Sequence, residues 1–112
     1  MRALLLFGFL LSGGVDGPVV YYGELEGAKK PCQVKARKVF SQISDYKKIK
    51  EMGLTEDDAE YWILLEKANA KFNTAVHNVA TEKGYDLVVE KGTVKFRKSV
   101  PDETQAVISA IP

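Results

Sequence analysis

The chain is poor in the residues that most often carry chemistry. Its 112 residues include one cysteine, Cys32, and one histidine, His77. A disulfide framework within the chain is excluded by that count, and a zinc site of the usual cysteine–histidine kind has too few ligands. No phosphate-binding glycine loop, dinucleotide fingerprint or nucleophile motif is present, so the sequence offers no basis for a cofactor. There is no excess of one charge either: 16 basic residues against 15 acidic ones leave a formal net charge of +1. No overall field draws the chain to nucleic acid, and net charge lends no support to binding at a membrane surface. No apolar run reaches the length of about 20 residues that a membrane-spanning helix needs.

What is present begins with the pattern of an export signal. Met1-Arg2 carries one positive charge, residues 3–11 are apolar apart from Gly8, and Ser12, Gly13 and Gly14 are small. This charged, apolar, small-residue order predicts a secretory signal over residues 1–14, with the mature chain starting at Val15. Cleavage after Gly17 is a second option, and an N-terminal core strand or an uncleaved anchor is the alternative to a signal. A single domain of about 95 residues would remain, a size at which cores are small and oligomerisation often helps.

Residues 15–30 contain Val19-Val20-Tyr21-Tyr22, which fits either an edge strand or an extended leader. Pro31-Cys32-Gln33-Val34-Lys35 reads as a strand, with Cys32 and Val34 inward and Gln33 and Lys35 outward. A helix is predicted over residues 36–52, where Val39, Phe40, Ile43, Tyr46 and Ile49 form an apolar stripe. Gly53 ends it, and Thr55 with Asp58 forms a capping box for the next helix. That second helix, residues 56–83, carries a heptad seam of Tyr61, Leu65, Ala68, Phe72, Ala75 and Val79. The bend is short, so an antiparallel helical hairpin, a short coiled coil over residues 36–83, is predicted.

Gly84 closes the second helix, because it accepts a left-handed conformation. Tyr85 to Val89 reads as a strand, Glu90-Lys91-Gly92 as a turn, and Thr93-Val94-Lys95-Phe96 as a return strand. Asp102, with Gln105 three residues on, announces a final helix. The predicted class is therefore α+β: strand, helical hairpin, two-strand hairpin, C-terminal helix.

Charge follows the same division. From Lys29 to Lys50 there are eight basic residues and one acid, Asp45; from Glu51 to Lys67 there are six acids and one base. Folding one helix on the other would bring Lys47, Lys48 and Lys50 near Glu56, Asp57, Asp58 and Glu60, which selects orientation more than it adds stability. The basic block is thus a neutralised, solvated face rather than an anion site. His77 lies off the seam with no nucleophile or acid placed beside it, and Cys32 reads as a small buried apolar residue. Tyr61 belongs to the seam. Trp62 stands one step off it near the hairpin tip, either as a contact surface or packed on Met52 or Ile49.

Several segments together resemble the Skp/OmpH family of bacterial periplasmic chaperones. They are Gln33 to Phe40 at the front, Ala75-Val76 with Val79-Ala80 at the end of the long helix, Gly84 to Val89, and then Pro101-Asp102, Thr104 and Val107-Ile108. The resemblance covers most of the chain from Pro31 on, and the chain looks like a short-armed, nearly neutral member. It implies a periplasmic homotrimer whose strands close as a small barrel, through Cys32, Val34, Leu87, Val89, Val94 and Phe96. Three strands in one chain make a weak sheet by themselves, and closure removes open edges. The implied partners are unfolded outer-membrane proteins, held without ATP between helical arms, with Trp62, Tyr61 and Met52 as contact residues. An adaptor that docks one folded envelope partner through the same hairpin is the alternative. Catalysis is not expected, since no acid–base or nucleophile constellation is visible.

Overall fold

The seam of the long helix organises the fold. In the computed structural model, which describes residues 17–112, this helix is α3 (Ala59–Lys83). It follows β1 (Val20–Gly23), β2 (Pro31–Val34), α1 (Ala36–Phe40) and α2 (Ser44–Glu51), and precedes β3 (Leu87–Glu90) and α4 (Thr104–Ser109). The export signal expected over residues 1–14 lies outside the described residues. All six seam residues are buried, and Leu64, Val76 and Ala80 widen the stripe. A stripe of that width faces a core rather than a narrow two-helix seam.

Both ends of α3 form by local chemistry. At the start, the Thr55 N–H donates to Asp58 Oδ2 at 2.8 Å and the Asp57 N–H to Thr55 Oγ1 at 3.3 Å. Half of the expected box is made: the return bond to Thr55 Oγ1 comes from Asp57 rather than Asp58, the pair closes a turn, and regular helix begins only at Ala59, with Asp58 as an N-cap that makes no side-chain cap. At the far end Gly84 takes φ 75°, and the Tyr85 N–H reaches back to the Ala80 carbonyl at 2.9 Å.

The first predicted helix is broken. Residues 36–52 form α1 and α2, separated by a turn over residues 41–43 in which the Gln42 and Ile43 N–H groups bond to Val39 and Phe40 carbonyls, three residues back. Ser41 Oγ donates to the Lys38 carbonyl at 2.6 Å, so its side chain competes with the helical ladder at the break. The break lets α1 lie against α3 and α4 while α2 runs along α3. Val39, Phe40, Ile43, Tyr46 and Ile49 are all still buried. With eight residues, α2 spans little more than one heptad, so no coiled coil of several repeats forms.

The hairpin is fixed by an ion pair other than those expected. Lys71 Nζ stands 2.7 Å from Asp45 Oδ2, linking the single acid of the basic block to the middle of α3. Among the described residues, Lys47, Lys48 and Lys50 make no ion pair with Glu56, Asp57, Asp58 or Glu60. These side chains are exposed, where an ion pair gains little, and the Lys50 ammonium lies over the Tyr46 ring at 5.2 Å instead.

The sheet departs most from expectation. Its order is β1-β3-β2, with β1 antiparallel and β2 parallel to the central β3. The register sets Tyr22 and Cys32 on either side of Val88. Residues 93–96 form no strand, so Val94 and Phe96 are half-buried loop residues rather than sheet residues. The turn at Glu90 does form, with the Thr93 N–H donating to the Glu90 carbonyl at 3.1 Å. Thr93 Oγ1 then accepts the Val19 N–H at 3.2 Å, which ties the loop to the start of β1. The physical reason lies in β3. Leu87, Val88 and Val89 are all buried, and a strand apolar on both faces takes the centre of a sheet, with β1 and β2 filling both its edges. Cys32, Val34, Leu87 and Val89 are thus buried within one chain, and the sheet is open rather than closed.

Residues 101–103 continue the sheet beyond β2. The Gln33 N–H donates to the Pro101 carbonyl at 2.9 Å, and the Glu103 N–H to the Gln33 carbonyl at 2.8 Å. The expected N-cap Asp102 stands one residue too early: Glu103 is the N-cap of α4 and makes no side-chain cap. Asp102 Oδ1 instead accepts the Thr104 N–H at 2.9 Å in the turn before the helix, while Thr104 Oγ1 accepts the Lys35 N–H at 2.9 Å.

Candidate functional site

Two regions present organised side chains. The first is the tip of the α2–α3 hairpin. α2 closes with a Schellman arrangement: Gly53 takes φ 64°, its N–H bonds to the Lys50 carbonyl at 3.2 Å, and the Leu54 N–H to Ile49 at 3.0 Å. This leaves Met52, 53% exposed, on one side of the connection, and the first turn of α3 on the other. There Tyr61 is buried, while Trp62 is 44% exposed. Tyr61 thus belongs to the core and leaves Trp62 and Met52 as the accessible members of the expected contact set.

Ile63 joins them at 54% exposed, although it was not among the expected contacts. The signal was available: a seam through Tyr61 and Leu65 turns residues 62 and 63 outward together. The Trp62 ring meets Tyr61 edge-on at 5.0 Å, and its Nε1–H donates to the Glu56 carbonyl at 2.8 Å. The indole is therefore oriented, with its polar atom satisfied and its apolar surface open.

The second region joins the end of α3 to the start of α4. Lys83 Nζ lies 2.9 Å from Glu103 Oε1, the Tyr85 hydroxyl donates to Glu103 Oε2, and Lys91 Nζ lies 2.9 Å from Asp102 Oδ2. Desolvation works against charge on Glu103, but the Tyr85 hydrogen bond and the Lys83 ammonium outweigh it and hold the carboxyl below the usual range. Donation to Glu103, helped by burial, pushes the Tyr85 hydroxyl up to about 12. Desolvation likewise opposes charge on Asp102, yet bonds from Thr104 and Lys91 bring it down to about 2. These groups tie segments together.

The remaining tempting residues are accounted for by packing. Cys32 is fully buried, and burial first, with the Glu103 charge second, pushes its thiol up to about 12, far from a reactive thiolate at neutral pH. His77 is exposed, with its ring 5.7 Å from Tyr22. Tyr21 donates to Glu90 Oε1 at 2.7 Å, the same oxygen that accepts the Ala36 N–H at 3.0 Å at the start of α1. Burial first, then the Glu90 charge, raises the Tyr21 hydroxyl. No group of three metal-ligating side chains occurs among the described residues, and none of their helices is long and apolar enough to cross a membrane.

No family model matches the chain, and no curated protein or solved structure does.

Proposed function

We propose that this chain is a non-enzymatic, chaperone-like protein that holds apolar segments of unfolded outer-membrane or envelope proteins without ATP. The observation that carries the reading is the joint exposure of Met52, Trp62 and Ile63 around one helical connection. Large apolar side chains exposed on neighbouring stretches of chain are candidates for a contact site, and tryptophan contributes disproportionately to binding. In this reading the mature chain works in the periplasm as a homotrimer assembled through its sheet. β1 supports that step, because among the described residues it has a strand neighbour on one side only, whereas residues 101–103 already line β2. The kinship with Skp/OmpH-like chaperones rests on the sequence segments given above.

Light scattering of the mature chain, with suppression of aggregation of an unfolded barrel protein, tests the proposal. A trimer that delays aggregation is expected, and the pair Trp62→Ala and Ile63→Ser should abolish the delay without lowering Tm. A monomer without effect would end it. One observation favours a second reading, an adaptor for a single folded partner: the bond from Trp62 Nε1 to Glu56 fixes the indole, and a fixed anchor suits a surface of defined shape. Crosslinked pull-downs separate the two, as one stoichiometric partner or many unfolded clients.

A further inference from the structure

A cleft of about 340 Å³ opens between the loop before β2 and the loop leading to α4. Its apolar lining includes Pro31, Tyr85, Phe96 and Val100. Its charged lining is all of one sign, from Lys29 and Lys30 on one wall and Arg97 and Lys98 on the other. In a chain of net charge +1, four cations around one cleft with no acid in its lining form a local field that the whole-molecule balance conceals.

The carboxylates nearby are held by other donors, although Asp86 keeps its charge and acts on Lys29. Asp86 accepts the backbone N–H groups of Lys29 at 2.7 Å and Lys30 at 2.9 Å. Glu103 is held by Lys83 and Tyr85, and Asp102 by Lys91. Among the described residues, the side chains of Lys29, Arg97 and Lys98 therefore have no carboxylate partner within ion-pair distance. Lys30 is positioned: its Nζ donates to the Lys83 carbonyl at 2.8 Å and lies 5.5 Å from the centre of the Tyr85 ring. The Tyr85 hydroxyl is occupied by Glu103, so the ring can offer this cleft only its apolar surface.

We propose that this cleft binds a small amphiphilic anion, with an aromatic or branched apolar body against Tyr85, Phe96 and Val100 and a carboxylate or phosphate head between Lys29 and the Arg97–Lys98 wall. The volume falls at the low end of small-ligand sites, and the lining combines apolar side chains with a few polar groups. The guanidinium of Arg97 can meet either head in a two-pronged contact, which Lys98 cannot. This site is separate from the hairpin tip, so its success or failure leaves the protein-binding proposal untouched.

Amide chemical shifts of the full mature chain, titrated with phenylacetate, phenyl phosphate and the neutral benzyl alcohol, test it. Saturable shifts confined to Lys29, Lys30, Tyr85 and residues 96–100 are expected with both anions, at least tenfold weaker with the alcohol. The relative affinity of the two anions identifies the preferred head group. Arg97→Ala with Lys98→Ala, both at exposed positions, should weaken the anions at least tenfold and leave Tm unchanged. Absence of saturable shifts at millimolar anion, equal binding of the alcohol, or full binding by the double variant would each overturn the proposal.

Discussion

Lys83, the last residue of α3, meets Glu103 at 2.9 Å across 20 residues of chain, just ahead of the first turn of α4. The other carboxylate oxygen takes the Tyr85 hydroxyl, and the Glu103 backbone N–H bonds to Gln33 in β2. One residue thus joins the long helix, the sheet and the final helix, and its loss should be felt in all three.

Glu103→Gln keeps the shape and removes the charge. We expect a loss of about 1.5–3 kcal/mol, the range for a hydrogen bond to a charged group. Lys83→Met should cost less, because the Lys83 side chain is half exposed. Urea unfolding of both variants and their combination gives the coupling between them. Additive effects would remove the ion pair as a contributor.

Acid should loosen the same region. Asp102, at about 2, and Glu103 both titrate below their unfolded values, so the folded state binds fewer protons in between. Their contribution is complete above about pH 5, where even the unfolded carboxylates are ionised, and it falls away as the pH drops toward 2. The urea midpoint, followed from pH 6 to pH 2, should decline in that window. Asp102→Asn should flatten the lower part of the decline, and salt should weaken the effect because the Asp102 side chain is 35% exposed.

Phe72→Ala should be severe. The ring stacks on Phe40 at 4.8 Å and meets Tyr21 edge-on at 5.0 Å, so it joins α1, β1 and α3 at one point. Truncating a buried phenylalanine costs about 3–5 kcal/mol, much of the roughly 5–15 kcal/mol by which a domain is stable. Circular dichroism melts should show a large fall in Tm or no cooperative transition.

Two glycines separate a conformational cost from a steric one. Gly53 takes φ +64° in open space, so Gly53→Ala should cost only the left-handed penalty of about 1–2 kcal/mol. Gly23 takes φ +78°, and a Cβ there would sit 1.9 Å from the Asp86 carbonyl oxygen. Gly23→Ala must push β1 away from β3 as well, and a clearly larger loss in denaturant melts is expected. Equal losses would mean that the β1–β3 contact yields freely.

The long helix was legible because its information is local. The three- and four-residue spacing of Tyr61, Leu65, Ala68, Phe72, Ala75 and Val79, and the stop at Gly84, need no knowledge of the rest of the chain. The same phase set Trp62 outward, and Ile63 with it. The helix over residues 36–52 misled because its stripe stays apolar through the break. Ser41 gave only a weak local sign of the turn that lets α1 and α2 pack in different places. Residues 93–96 alternate like a strand, yet Thr93 bonds to Val19 and the loop that follows lines the cleft instead. That cleft was invisible in the sequence, since Lys29 and Lys30 lie some 67 positions before Arg97 and Lys98.

By itself the sequence determined the α+β class, the hairpin of helices, the buried stripe and the final helix, because periodicity and helix-ending glycines act within a few positions. Tertiary structure alone decided which segments flank β3, how Glu103 closes the molecule and where the four cations gather. Strand pairing and charge clustering are competitions among segments distant in sequence. Here a central strand apolar on both faces took β1 and β2 as partners and left its nearest neighbour in the chain as a loop.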